Sequence, residues 1–227
     1  MPNLLRYLCG LIGLWACTGC FEIREEVKMS EDGSGNYAFL LDMSESKTLL
    51  AQNAEAQPDS IQQNNFLADI QDALTQLQNQ LHQMEGIREA NIVHEPINYR
   101  FGFSFRFDDL TQLNQALSTI TQQPEPVAFY RHDKKNFHRL PLFAFRDLIY
   151  RERPEQSDDD RQQMLATRTR LMAQAKYVFV FHNPYKIKKY DGGTLKSPQV
   201  FEARYPLSIL AQEPEQVAFS LKLSGKF

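Results

Sequence analysis

Cysteine and long apolar runs are both scarce in this chain. All three cysteines, Cys9, Cys17 and Cys20, lie within the first 20 of 227 residues, so no disulfide can form in the remainder. After the N-terminus no apolar run approaches the roughly 20 residues that a membrane-spanning helix needs. The net charge is also small: 25 Lys and Arg stand against 28 Asp and Glu, which gives −3. Such a chain is no general polyanion binder, and we expect no nucleic-acid partner.

Metal and cofactor motifs are missing as well. The five histidines show no zinc spacing; they are His82, His94, His132, His138 and His182. His132 and His138 could meet across a turn, but the polar residues between them are typical of an exposed loop. We therefore predict no metal site and no cofactor. A Ser, His and Asp triad stays open, because its members need to meet only in space.

One short motif suggests an enzyme. Ser44, Glu45, Ser46 and Lys47 match the Ser-x-x-Lys pattern of penicillin-interacting serine enzymes. No Ser-Asp-Asn or Lys-Thr-Gly partner follows, and Ser44 is also well placed to cap a helix that starts after a strand. We expect a chain that is not an enzyme, and keep an exported serine hydrolase that uses Ser44 and Lys47 as the alternative.

The N-terminus has the order of an export signal. Arg6 precedes an apolar run from Leu8 to Ala16, and Cys17, Thr18, Gly19 and Cys20 follow. The Thr-Gly-Cys end resembles the lipobox of bacterial lipoproteins, with Cys17 where that family usually has Leu, Val or Ile. The resemblance implies that residues 1–19 are removed and that Cys20 carries the lipid, palmitate included. Several acyl chains on one Cys anchor a protein firmly, and the absence of Asp after Cys20 favours the outer membrane.

Alternating residues begin directly after Cys20. Phe21, Ile23, Val27 and Met29 share one side of a predicted strand over 21–29. Turn residues 32–35 then lead to a second alternating stretch over 37–43, which together predict a β-hairpin. A strand this close to Cys20 would hold the domain near the membrane surface.

Helices and an aromatic strand follow. We predict a short helix over 44–56 and a longer one from Ser60 to Met84, with a capping-box spacing at its start. Ile87 to Val93 is predicted as a strand. Tyr99 to Phe107 is the clearest strand, because five aromatic residues alternate along it, and we expect them to form a core under a helix capped by Asp108 or Asp109.

The second half of the chain is predicted to alternate loops and strands. Strands are expected at 127–130, 177–181, 200–207 and 217–223, with a polar loop at 151–160 and a helix running to about 175. The fold class is therefore α+β, with antiparallel sheet and amphipathic helices on one face. The predicted organisation is a signal peptide over 1–19, an α+β domain over 20–150, and a helix with C-terminal strands over 151–227, either in the same unit or as a small subdomain.

Two basic clusters interrupt the acidic average. One comprises Arg131, Lys134, Lys135 and Arg139; the other comprises Lys186, Lys188, Lys189 and Lys196. In the second cluster Tyr185, Ile187 and Tyr190 are interleaved with the lysines, so it could rest on anionic head groups. Alternatively, the lysines protect a strand edge from pairing with other chains.

Several segments resemble the LppM-like envelope lipoproteins. They are Glu25-Glu26-Val27, Asp32-Gly33-Ser34-Gly35, Leu41-Asp42-Met43, the turn Asp191-Gly192-Gly193, and Phe201 to Tyr205. That family often carries a C-terminal membrane helix, which has no counterpart in this sequence. The resemblance implies an envelope lipoprotein with a small α+β domain and a lipid-linked or structural role. We therefore expect a lipid-anchored, non-enzymatic protein that binds an envelope protein, a lipid or a glycan at the membrane surface.

Overall fold

A computed structural model describes residues 21–46, 60–142 and 175–227 of the chain. The helices in these ranges are α1 (Ser60–His82), α2 (Leu110–Ile120) and α3 (Leu207–Gln212), with short 3-10 helices at Ser44–Ser46, Pro96–Asn98 and Pro214–Val217. The strands are β1 (Glu22–Met29), β2 (Gly35–Asp42), β3 (Ile87–Glu95), β4 (Arg100–Phe107), β5 (Tyr130–Asp133), β6 (Asn136–Arg139), β7 (Lys176–His182), β8 (Ile187–Tyr190), β9 (Thr194–Ser197), β10 (Val200–Pro206) and β11 (Phe219–Leu223). The α+β class is confirmed.

The first hairpin forms where the alternation predicts it. β1 and β2 pair antiparallel with Glu22 opposite Asp42 and Met29 opposite Gly35. Gly33 takes a φ of 87° in the turn, a conformation that favours glycine, and the Ser30 N–H donates to the Ser34 carbonyl at 2.8 Å.

The predicted helix over 44–56 is described only at Ser44–Ser46, and the predicted segments at 151–174 lie outside the described residues.

Seven strands form the larger sheet, in the order β3-β4-β2-β1-β7-β10-β9. β1 is the central strand, and its pairing with β7 is parallel, whereas its pairing with β2 is antiparallel. The expectation of antiparallel sheet is therefore wrong for this pairing, whereas the other strand pairs of the two sheets are antiparallel. β1 and β7, which are far apart in the sequence, therefore lie side by side in this sheet, with Ile23 opposite Tyr177.

The inner face of this sheet carries the core. Phe101, Phe103, Phe105 and Phe107 of β4 are each at most 5% exposed, which confirms the predicted aromatic core. α1 contacts β3 and β4, and its buried residues Ile70, Leu74, Leu77 and Leu81 belong to the same hydrophobic cluster. α2 begins at Leu110 because the Asp109 side chain accepts from the main-chain N–H groups of Thr111 (2.6 Å) and Gln112 (3.1 Å).

Tyr99 departs from the predicted strand. It lies before β4 in the left-handed region, with a φ of 51°, and closes the 3-10 helix Pro96–Asn98 by donating its N–H to the Pro96 carbonyl. The strand pattern over 99–107 was therefore one residue too long, because Tyr99 belongs to the turn that joins β3 to β4.

Four strands form a smaller sheet, in the order β5-β6-β11-β8. It covers the part of the larger sheet around β7, where the Phe137 and Phe181 rings lie 4.1 Å apart and the Phe179 and Phe219 rings 5.1 Å. The predicted strand over 127–130 was misplaced, since β5 starts at Tyr130. The polar run after it, expected to be an exposed loop, is a hairpin: β5 and β6 turn at Lys134, and Arg139 on β6 is 1% exposed.

Candidate functional site

A carboxylate occupies the middle of the apolar face of the central strand. Glu25 points to the same side as Ile23, Val27 and Met29, and it is only 2% exposed. The strand register places it in a row whose other members are apolar: Phe103, Phe39, Phe179 and Ala203. An ionised carboxylate in such surroundings needs partners of opposite charge and hydrogen-bond donors.

The smaller sheet supplies two of those partners, and β7 of the larger sheet supplies a third. Arg139 of β6 reaches across to Glu25, with Nη2 at 2.7 Å from Oε2. Tyr130 of β5 donates its hydroxyl to Glu25 Oε1, and Tyr177 of β7 donates to Oε2. The Arg139 guanidinium also donates Nη1 to the Tyr130 hydroxyl at 2.7 Å and lies 4.6 Å from the centre of the Phe179 ring. We call Glu25, Arg139, Tyr130 and Tyr177 the intersheet cluster.

Burial and charge pull the pKa of Glu25 in opposite directions. Burial raises it, but the Arg139 charge and the hydrogen bonds from Arg139, Tyr130 and Tyr177 outweigh burial and leave the pKa of Glu25 below its usual value. Burial lowers the pKa of Arg139, but Glu25 more than compensates, so that pKa lies well above its usual value. The pKa values of Tyr130 and Tyr177 are raised, mainly by burial. The cluster therefore holds one carboxylate and one guanidinium, both ionised, and two neutral tyrosines.

These properties are typical of a buried group that holds two sheets together, more than of a reactive centre. All four residues are at most 2% exposed, so very little of their surface is accessible to an external substrate. Arg139 Nε makes no hydrogen bond among the described residues, but both of its Nη atoms donate to members of the cluster. The cluster joins β1 and β7 of the larger sheet to β5 and β6 of the smaller one.

An open cleft of about 470 Å³ lies beside the cluster. Its lining residues come from the β1–β2 turn, the start of α2, strand β5 and the C-terminal segment; they include Met29, Gly33, Leu110, Asn114, His132 and Phe227. Tyr130 also lines it and thus connects cleft and cluster. Because Met29 is the last residue of β1, the cleft lies about 23 Å along the strand from Glu22, at the rise of a β-strand.

His132 is the most unusual side chain in the cleft. Its ring lies 4.5 Å from the Phe227 ring, and its Nε2 atom is buried without a hydrogen-bond partner among the described residues. Burial is the main reason that its pKa is lowered, with a smaller contribution from His138. A neutral imidazole on an aromatic ring can accept or donate one hydrogen bond to a ligand in the cleft.

The structure separates the residues considered for metal binding. His132 lies opposite Phe137 on the β5–β6 hairpin, so His138 faces the other side, where its Nδ1 is 2.8 Å from Ser220 Oγ. His182 Nε2 is 3.0 Å from Glu26 Oε1, and the His94 ring lies against Phe101. In the part of the chain that the structure describes, no three His, Cys, Asp or Glu side chains come together as metal ligands.

Two of the residues singled out from the sequence lie outside the described ranges, namely Cys20 and Lys47. Phe21, the neighbour of Cys20, is placed: its carbonyl accepts from the Lys176 N–H at 2.9 Å. Ser44 is exposed at the start of a 3-10 helix, and its N–H donates to Asp42 Oδ1 at 2.9 Å. The prediction that Ser44 and Lys47 do not act as a catalytic pair stays a prediction.

All four lysines considered for anionic surfaces are exposed: Lys186, Lys188, Lys189 and Lys196. Lys196 pairs with Glu202 at 3.0 Å. Lys186 follows the C-terminal end of β7. That end, at His182, lies opposite Lys28 of β1, so Lys186 is far from Glu22 at the other end of β1. Of the other basic cluster, Arg139 is buried in the intersheet cluster and is not available to a surface ligand.

Sequence reasoning overlooked the intersheet cluster, although one signal for it is present. In the alternation of β1, Glu25 falls in the same phase as Ile23 and Val27. A charged residue in the apolar phase of a strand indicates a buried ion pair or an irregular strand. The partner, Arg139, could not be found in the same way, because it lies on a short strand among polar residues where no alternation is apparent.

No family model and no curated protein matches this sequence. Among solved structures, the chain is similar to the folded domain of the Mycobacterium tuberculosis LppM protein, with a TM-score of 0.40 and 10% identity over 93% of this chain and 92% of that one. This is a weak likeness, and no property of LppM is transferred on its account. No helix within the described ranges is long and apolar enough to cross a membrane.

Proposed function

We propose that this chain is a bacterial envelope lipoprotein, anchored through acylated Cys20, whose folded domain has a non-enzymatic binding role at the membrane surface. The observation that carries the proposal is the position of β1. The strand that starts two residues after Cys20 is the central strand of the larger sheet, and Phe21 is already hydrogen-bonded to Lys176.

This geometry leaves no room for a flexible tether. One residue separates Cys20 from β1, and two residues span at most about 7 Å when fully extended. The lipid would therefore hold the Glu22 end of the sheet against the membrane. The intersheet cluster would then support the anchor, because it connects β1 and β7 to the smaller sheet. A force applied at Cys20 would be distributed over both sheets and not over β1 alone.

The same geometry turns the cleft away from the lipid. Met29 and the β1–β2 turn form part of its wall, at the end of β1 opposite Cys20. An envelope protein, lipid or glycan would thus meet the cleft from the aqueous side. Placement in the outer membrane belongs to the proposal too, on the ground that Phe21 and not Asp follows Cys20.

Replacing the acylated cysteine tests the anchor. The Cys20→Ser variant should lose incorporation of labelled palmitate and remain unprocessed or soluble, whereas Cys9→Ser, a matched control outside the lipobox, should be lipidated and recovered in the membrane like the wild type. Density-gradient separation of inner and outer membranes then tests the location. Normal lipidation and membrane recovery of Cys20→Ser would refute the anchor.

A separate experiment tests the non-enzymatic role. Membranes that contain the wild-type protein and the Ser44→Ala variant are treated with a fluorescent penicillin and with a fluorophosphonate probe. We expect neither protein to be labelled. Labelling of the wild type that disappears in Ser44→Ala would establish the serine hydrolase in place of a binding protein.

A further inference from the structure

The turn that joins β3 to β4 lies at the same end of the larger sheet as Phe21. The register links Glu22 to Asp42, Asp42 to Arg100, and Arg100 to Glu95, in one row across four strands. Residues 96–99 project beyond that row. At the spacing of neighbouring strands, the turn is about 14 Å from β1.

The turn carries the most exposed large apolar side chain of the described residues. Ile97 is 76% exposed, compared with 47% for Tyr190 and 37% for Val127. A single exposed apolar residue is ordinary on a protein surface. Here its position sets it apart, since it lies at the end of the sheet where the chain leaves for Cys20.

Local contacts hold this side chain outward. Ile97 is the middle residue of the 3-10 helix Pro96–Asn98, which Tyr99 closes through its left-handed conformation. The Tyr99 carbonyl accepts from the Met43 N–H at 3.0 Å, which ties the turn to the end of β2. Ile97 therefore lies at the tip of a turn whose main chain is fixed by these two hydrogen bonds.

The charges behind the tip are already paired. Arg100 lies between Asp42 (3.2 Å) and Glu95 (3.3 Å), and the Asn98 side chain donates to Glu95 at 3.3 Å. Pairing within the protein reduces the cost of bringing this row of side chains close to a surface of low dielectric constant. Arg100 offsets one of the two carboxylates, so the group keeps a net charge of −1, and it is the apolar tip of the turn that fits the boundary between head groups and acyl chains.

We propose that Ile97 inserts into the apolar boundary of the membrane that holds Cys20, as a second and non-covalent contact. This inference rests on the proposed lipid anchor. Two contacts about 14 Å apart restrict how far the domain can tilt. They keep the cleft, at the other end of β1, facing away from the bilayer.

Site-specific labelling tests the contact. Cys20 is the one cysteine that remains after residues 1–19, and acylation blocks its thiol, so a new cysteine takes a fluorophore alone. Lipidated Ile97→Cys is labelled and reconstituted into phosphatidylethanolamine and phosphatidylglycerol vesicles that contain spin-labelled acyl chains. Glu31→Cys, exposed in the β1–β2 turn, is the matched control, and Lys189→Cys probes the lysine-bearing side. Quenching should be several-fold stronger at position 97 than at position 31 or 189.

The role of the isoleucine itself needs a label beside it. Asn98→Cys is compared with and without Ile97→Asp, and the charged side chain should reduce quenching of the neighbouring label several-fold. Equal quenching at positions 97 and 31, stronger quenching at 189, or no effect of Ile97→Asp would overturn the proposal. Failure of every labelled protein to float with the vesicles would reject the Cys20 anchor as well, and flotation distinguishes this outcome from the others.

Discussion

Neutralising Glu25 should be far more costly than neutralising its neighbour Glu26. Glu25→Gln keeps the shape of the side chain but leaves Arg139, whose side chain is 0% exposed, as an uncompensated buried charge. Removal of one partner from a buried ion pair typically costs about 3–5 kcal/mol. A domain of this size is stable by about 5–15 kcal/mol, so this one substitution should consume a large part of the free energy of unfolding.

Glu26→Gln is the matched control. Glu26 lies next in sequence but on the outer face of β1, half-exposed beside His182. A pair of this kind contributes about 0–1 kcal/mol. Urea unfolding of residues 21–227, followed by far-ultraviolet circular dichroism, measures both costs, since the chain's only tryptophan is Trp15, in the segment predicted to be the signal peptide. A loss below about 1 kcal/mol for Glu25→Gln would refute the reasoning.

The coupling between the two sheets can be isolated with a double substitution. Replacing both charges, as in Glu25→Leu with Arg139→Leu, removes the unpaired charge that each single variant leaves behind. The double variant should therefore be less destabilised than the sum of the two single variants by at least about 2 kcal/mol. Additive costs would show that Glu25 and Arg139 stabilise the fold independently.

Two further predictions concern acid and the centre of the sheet. Because the pKa of Glu25 in the folded protein lies below its ordinary value of 4.5, its contribution to stability is present above pH 4.5 and is lost as the pH falls through the folded-state pKa. The difference in unfolding free energy between wild type and Glu25→Gln should thus hold steady above pH 4.5 and shrink below it; a difference that already shrinks near neutral pH would contradict the assignment. At Gly102 an added Cβ would lie 2.2 Å from the Phe39 carbonyl oxygen, so Gly102→Ala should lower the midpoint of thermal unfolding and cost about 1–3 kcal/mol. Ser104→Ala, on the same face of β4, is the control and should change little.

Much of the fold follows from periodicity alone. The alternation in β1, β2 and β4 is strong because one face of each strand is buried and the other is polar, and the helical spacing in α1 is clear for the same reason. Asp109 was predictable as a cap, because a short acceptor side chain before an apolar helix has few other roles.

Pairing partners were not predictable from the same patterns. β1 and β7 are separated by more than 140 residues, and neither strand encodes the direction in which the other runs. β5 and β6 have four residues each, too few for an alternation to stand out among lysines and histidines. The parallel pairing and the Tyr130–Arg139 hairpin therefore emerged only when the chain was folded.

By itself the sequence determined the position of Cys20 and the strands and helices whose two faces differ in polarity. It also predicted a cleavable N-terminal signal. Tertiary structure decided that the strand next to Cys20 is the central one, that Glu25 meets Arg139, and that Ile97 lies at the Glu22 end of the larger sheet while the cleft lies at the Met29 end. The physical reason is that polarity patterns are local properties of the chain, whereas register, charge pairing and the direction of a sheet depend on residues that only folding brings together.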